Sequence, residues 1–270
     1  MAAFLGNLRN VLIVSVLLAI LMIVGFGVWS PHNFDRVFWE AVLRWMHVFF
    51  GILWIGLLYY FNFVQTPALA TFEAGPRVEL QRKLLGRALW WFRWGAMLTV
   101  LTGFMILGFQ KDFNATYMKT GPGISISTGI LFGLIMWANV WLVIWPNQKI
   151  VIANAERIAG GAEADPAAAP AARKAALASR TNTLFSIPLL FFMAATSHFA
   201  FVFNTQNGSH RAIYYVILLV IVLFFELNAL GVLGGYAPSP TRKFLDDHRK
   251  TIYAGLAVWL VLMVVWQILF

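Results

Sequence analysis

A chain of 270 residues with 60% hydrophobic and only 11% charged residues falls outside the soluble globular class, in which about a quarter of residues are charged. It reads as a polytopic membrane protein. The absence of cysteine excludes disulfides, thiolate metal sites, iron–sulfur clusters and covalently attached c-type haem within the chain. The net charge of +9 has to be read first as a topology signal, and no interleaved basic and aromatic motif accompanies it that would point to nucleic acid.

Seven apolar segments are long enough to span at ~1.5 Å rise per residue. They are expected near 11–30, 40–64, 88–110, 125–146, 184–204, 212–236 and 251–270. No strand alternation is visible, so one all-α integral membrane domain over 1–270 is expected. The first segment follows Arg9 as a signal peptide would. Val11 to Trp29 is too long for a signal h-region and lacks a small-residue cleavage site, so it reads as a retained helix.

The second segment, RWMHVFFGILWIGLLYYFNFVQ (Arg44 to Gln65), carries His47 one to two turns inside the hydrocarbon. An ionisable group there is costly unless something engages it. Gly51 follows on the same helix face. An imidazole beside a cleared surface suits an iron ligand and a porphyrin plane. The alternative is a histidine hydrogen-bonded to a neighbouring helix, with glycine there for close packing.

Between the fourth and fifth segments, GGAEADPAAAPAARKAALAS marks a flexible linker over 158–180, whose composition suits a tether or a short helical extension. Thr120-Gly121-Pro122-Gly123 marks a turn before the fourth segment. Basic residues gather on one side. Arg9, Arg77, Arg82, Lys83, Arg87, Lys149, Arg157, Arg173, Lys174, Arg180, Arg242, Lys243, Arg249 and Lys250 oppose little beyond Arg36, Lys111, Lys119 and Arg211. The positive-inside rule then puts the N-terminus in the cytoplasm and, with seven spans, the C-terminus in the periplasm.

That topology brings His47 and His198 to matching depth near the outer face, His198 lying shortly before Asn204. Gly51 follows His47 by one turn, and Ala194 and Ala195 precede His198 by one turn, offering small residues for haem-face packing. Two histidines at one level make a bis-histidine site for a non-covalent b-type haem. A His–His or His–hydroxyl hydrogen bond between packed helices is the competing reading. Arg44, one turn outward, would meet a haem propionate or snorkel to the interface. His32, His210 and Arg211 belong to outer loops, and His248 to a charged cytoplasmic surface.

A second polar group is expected in the inner half: Arg93, Asn139, Glu226 and Asn228, with Asn62 and Gln65 closing the second segment. An Arg93–Glu226 ion pair bridged by amides would satisfy two costly charges as a clasp. The other reading is a polar pocket for an anionic or amide-rich substrate, making Arg93, Glu226 and Asn139 the candidate catalytic residues. Trp90, Trp91, Trp94, Trp137, Trp141 and Trp145 read as an interfacial belt and packing.

RWMHVFFGILWIGLLYYFNFVQ, ALWWFRWGAM, NVWLVIWPNQK and TNTLFSIPLLFFMAATSHF, in that order, resemble the membrane domain of the bacterial cytochrome-c-linked urate hydroxylases, the urate oxidase N-terminal domain family. The resemblance runs from about residue 40 to 205 and loosely to the end. It implies conversion of urate to 5-hydroxyisourate with electrons passed to cytochrome c, in the bacterial inner membrane, and His47 and His198 fall in the family-like stretches. Family members carry a C-terminal c-type cytochrome domain outside the membrane. This sequence stops at Phe270 with no Cys-x-x-Cys-His, so electrons would pass to a separate periplasmic or membrane-bound cytochrome c. Two readings follow: a haem b oxidoreductase of the urate-hydroxylase type, or a non-enzymatic haem relay or accessory subunit of a larger respiratory or photosynthetic complex. A transporter would show broken helices and repeat symmetry, which the sequence lacks.

Overall fold

The structure is a computed structural model that describes residue 4 and residues 6–110, 114–199 and 210–270. Its long helices are α1 (Leu8–Trp29), α2 (Arg36–Thr71), α3 (Ala74–Phe109), α4 (Gly121–Ala159), α5 (Ala168–His198), α6 (Arg211–Ala229) and α7 (His248–Leu269). All except α5 are long and apolar enough to cross a membrane, which gives six candidate spans among the described residues and a multi-pass membrane protein. The span expected over 184–204 falls on the second half of α5 as far as His198. Its last residues, Asn204 among them, lie outside the described residues, as does Lys111.

Helix starts follow local chemistry. Asp35 accepts from the Phe38 amide (3.0 Å) and Asp247 from those of Arg249 (2.8 Å) and Lys250 (3.1 Å). Each aspartate satisfies amides that the first turn would leave without partners. The Lys250 amide, joined by that of Arg249, holds the Asp247 carboxyl below its ordinary range. The Phe38 amide, with His32 at 2.9 Å, does the same for Asp35. Thr120 caps α4 at Gly123 (3.2 Å), so the expected turn at 120–123 is this helix entry.

Three helices outrun the apolar segments that announce them. At ~1.5 Å per residue, the 36 residues of α2 measure about 54 Å, against a hydrocarbon core of about 30 Å. Helices α3 and α4 are extended in the same way, so charged helical legs project past the membrane-spanning parts. Each of these helices also contains a π-helical stretch: Tyr60–Gln65, Gln81–Leu85 and Asn139–Ile144. The first and third stand two residues before a proline, Pro67 and Pro146. A proline ring clashes with the carbonyl four residues back, and a widened turn relieves that clash without ending the helix.

The linker expected over 158–180 is largely helix. α5 begins at Ala168, and Ala171, Ala175, Leu177 and Ala178 are buried along it. Alanine is the strongest helix former, and its small side chain lets the helix approach its neighbours closely. The helical extension is therefore the form the composition takes, and the connection proper is about residues 160–167.

Helix α5 is the central mast, packing against α4, α7, α6 and α2. Phe185 and Phe192 of α5, Phe132 and Met136 of α4, Tyr214 and Leu218 of α6, Trp266 of α7 and Trp54 and Leu58 of α2 form the buried core. Pro188 lies inside α5 and supplies no N–H for the Leu184 carbonyl one turn earlier. Gly255 of α7 lies against that carbonyl so closely that a Cβ there would stand 2.7 Å from the Leu184 oxygen. The missing side chain admits the backbone of α7 to the gap left by the proline. Helix α1 is different. Only Gly27 in it is buried, and it packs closely where a Cβ at Gly27 would strike the Phe34 ring.

Candidate functional site

His47 faces α3. Its Nδ1 lies 2.8 Å from the Thr99 carbonyl and 3.2 Å from Thr102 Oγ1. A carbonyl only accepts, so Nδ1 carries the proton and donates. The Thr102 hydroxyl spends its own proton on the carbonyls of Leu98 (2.7 Å) or Thr99 (3.0 Å) and can accept from the same Nδ1–H. The neutral ring is thereby fixed in one tautomer, with the lone pair on Nε2. This is the interhelical hydrogen bond of the competing sequence reading. It is also the backbone contact by which a metal-binding histidine is oriented.

The small residues near it serve α2–α3 contact. A Cβ on Gly103 would stand 3.1 Å from His47 Cε1, and one on Gly51 would stand 3.9 Å from Thr99 Cγ2. Arg44 pairs with Glu40 at 2.7 Å, one turn along α2. His198 closes α5 with an exposed side chain, Ala194 is exposed and Ala195 buried. Where a haem is concerned, His47 satisfies the donor requirement through Nε2. His198 offers an imidazole at the helix end, beyond which residues 200–209 lie outside the described residues.

The polar group expected in the inner half assembles around the π turn of α4. Asn139 sits at its start and donates both amide protons, one to Asn182 Oδ1 of α5 (2.9 Å) and one to Glu226 Oε2 of α6 (3.0 Å). Asn182 in turn donates to the Met136 carbonyl (2.9 Å) at the entry to the π turn. Three helices are clasped through one amide. A parallel limb joins α2 to α5: Asn62 donates to the Leu58 carbonyl (2.9 Å) and to Ser179 Oγ (2.8 Å), and Tyr59 meets Ser186 at 2.8 Å. Asn62 lies about 22 Å along α2 from His47 at ~1.5 Å per residue.

The ion pair expected between Arg93 and Glu226 does not form. The Arg93 guanidinium stacks 3.8 Å from the Trp145 ring centroid and 5.9 Å from that of Trp141. Its Nε is buried without a hydrogen-bond partner. A planar, weakly hydrated cation finds its counterpart in the indole faces, and the Asn139 amide serves the carboxylate instead. The tryptophans expected as a belt thus divide. Trp141 and Trp145 hold Arg93, whereas Trp90 and Trp94 are exposed.

Several structural residues are missed by reading the sequence. Thr99, Thr102 and Asn182 are ordinary apolar-helix polar residues until their partners are known. Arg242, counted among the topology charges, is fully buried and donates to the carbonyls of Leu233 (3.3 Å), Gly234 (3.0 Å) and Gly235. It secures a loop in which Gly231, Gly234 and Gly235 all take positive φ. The cluster GVLGGY before a lone arginine is the signal that could have found it.

Fold and site together define a multi-pass helical membrane protein with a buried polar clasp and a hydrogen-bonded intramembrane histidine. Residues 110–231 match the family model described as Urate oxidase N-terminal. The matched residues include the whole of α4, α5 and α6, hence Asn139, Asn182, Glu226 and His198; His47 and Arg93 lie before them. Searches of curated proteins and of solved structures found no match.

Proposed function

We propose that the protein is a haem b membrane oxidoreductase of the urate-hydroxylase type that passes electrons to a periplasmic cytochrome c. The match of residues 110–231 to the Urate oxidase N-terminal family model carries this reading. The reaction requires urate and water to give 5-hydroxyisourate, two protons and two electrons, the electrons leaving one at a time to cytochrome c. His47 and His198 would hold the haem, which supplies a one-electron centre when bound. The fixed Nδ1–H of His47 supports it as a ligand through Nε2. Arg44 lies near enough to the outer end of α2 to meet a propionate.

Asn139 and Glu226 are committed to one another. Arg93, its Nε unpartnered and its plane framed by indoles, has the capacity left to engage a planar anionic substrate. The topology proposed with this function has seven spans, the second half of α5 being the seventh. The N-terminus is cytoplasmic and the C-terminus periplasmic, in a bacterial inner membrane. The concentration of basic residues on one set of helix ends supports that orientation.

One observation favours a second reading, an accessory or relay subunit of a larger respiratory or photosynthetic complex. Only 6% of the apolar window of α1 is buried, leaving a whole helix free to contact other membrane subunits.

A reduced-minus-oxidised optical spectrum of purified protein, beside His47→Ala and His198→Ala, tests the haem. A b-type signal lost in both variants is the expected result; a featureless spectrum from folded wild-type protein overturns it. Urate-dependent reduction of added cytochrome c then separates the two readings. Turnover supports the enzyme, and co-purification with redox subunits without turnover supports the accessory role.

A further inference from the structure

At the charged end of the bundle, an open pocket of about 560 Å³ lies where α3 and α4 meet. Arg82, Lys83, Gly86 and Arg87 of α3 and Glu156 of α4 line it. Part of its charge is already compensated. Arg82 pairs with Glu79 at 2.9 Å and with Glu156 at 3.8 Å, and Lys83 pairs with Glu79 at 2.5 Å. Three cations face two carboxylates, and the exposed Arg87 joins none of the ion pairs among the described residues. Arg82 Nε is buried with no hydrogen-bond partner, a donor without an acceptor at the pocket wall.

What surrounds the pocket narrows the ligand. From Arg87 the same face of α3 continues through Trp90 and Trp94, both exposed. The steps are three or four residues, so these side chains form one stripe. A basic pocket at the head of an apolar, tryptophan-bearing stripe has the polarity of a phospholipid, with phosphate at one end and acyl chains at the other. Free phosphate shares the headgroup chemistry and has no use for the stripe.

We propose that this pocket seats the phosphate of an anionic phospholipid of the cytoplasmic leaflet. Lys83 and Arg87 hold the headgroup, and the acyl chains run from there along Trp90 and Trp94. The site rests on the membrane topology above and is independent of haem and urate.

The test is native mass spectrometry of the full chain in detergent, titrated with phosphatidylglycerol or phosphatidylcholine. Wild type is compared with the Lys83→Gln/Arg87→Gln double variant and with the charge-conserving Lys83→Arg/Arg87→Lys pair. Wild type is expected to retain phosphatidylglycerol in preference to phosphatidylcholine. Retention should fall about five-fold for each cation removed and recover in the charge-conserving pair. Arg87→Gln alone, at an exposed position outside the ion pairs, gives the same reading should the double variant not fold. Equal retention of the two lipids, or an unchanged preference in the glutamine variants, overturns the proposal. Displacement of the lipid by millimolar inorganic phosphate overturns it in favour of a soluble anion.

Discussion

Replacing Asn139 by leucine should reveal what the three-helix clasp contributes. The substitution removes two hydrogen bonds at once, to Asn182 Oδ1 at 2.9 Å and to Glu226 Oε2 at 3.0 Å. It strands an acceptor on α5 and a carboxylate on α6. Stranded buried groups cost about 1–3 kcal/mol each, but hydrogen bonds between membrane helices average only about 0.6 kcal/mol and reach about 1.7. The lower scale governs here, because a chain unfolded within the membrane also finds partners. Asn139→Leu should therefore destabilise by about 1–3 kcal/mol. In a double-mutant cycle with Glu226→Leu, the combined variant should be about 0.6–1.7 kcal/mol more stable than the sum of the single losses predicts. The assay is reversible unfolding in mixed micelles, followed by tryptophan fluorescence. Additive losses, within about 0.3 kcal/mol, would show that the Asn139–Glu226 contact contributes nothing and would refute the clasp.

The other predictions address separate features. Gly255→Ala drives a methyl group against the Leu184 carbonyl and should cost about 1–3 kcal/mol as overpacking; an unchanged melting temperature would mean α7 moves aside freely. Arg93→Lys keeps the charge but loses the planar stack on Trp145. It should lower stability by about 1 kcal/mol and shift tryptophan emission, and identical spectra and melting would contradict the stacking. The Asp247 carboxyl titrates below its unfolded value because the Lys250 amide stabilises the charged form. Its contribution is fully present above the unfolded value, about pH 4, and is lost as pH falls through the lower folded value. The stability difference between wild type and Asp247→Ala should be constant near neutrality and shrink below about pH 4, while the difference between Asp247→Asn, which caps without titrating, and Asp247→Ala should show no such dependence.

The sequence shows the apolar runs, so the helices, their order and the polar residues within them can be read in advance. Helix length cannot be read in the same way. Hydropathy reports where a helix meets lipid, whereas α3 and α4 continue as charged legs held by contacts such as Arg82–Glu156. The alanine-rich stretch after Pro166 is ambiguous alone because alanine suits both a tether and a helix; burial of Ala171 and Ala175 decides it. The polar group expected in the inner half is legible as a set, but its pairing is not. Opposite charges make Arg93–Glu226 the obvious partnership, yet the guanidinium stacks on Trp145 of α4, and Glu226 is served by Asn139 of the same helix. Of the two histidines, His47 is visible as a costly intramembrane group. Its partner is a main-chain carbonyl, Thr99, and a main-chain atom leaves no mark in the sequence.

The π turns give α2, α3 and α4 a place to absorb a change of length. A widened turn holds one residue more than an α turn, so the helix on either side of it keeps its phase. Deleting one residue from Asn139–Ile144 would allow an ordinary α-helix to re-form there and would leave Asn147, Val151 and Ala155 facing nearly as they do now. Removing one residue from α6, an uninterrupted α-helix, has no such outlet and would rotate everything beyond it by about 100°, carrying Glu226 away from Asn139. Tolerance to deletion is therefore concentrated in these stretches. Removing Leu142, which is exposed, should leave the end of α4 that carries Glu156 in place.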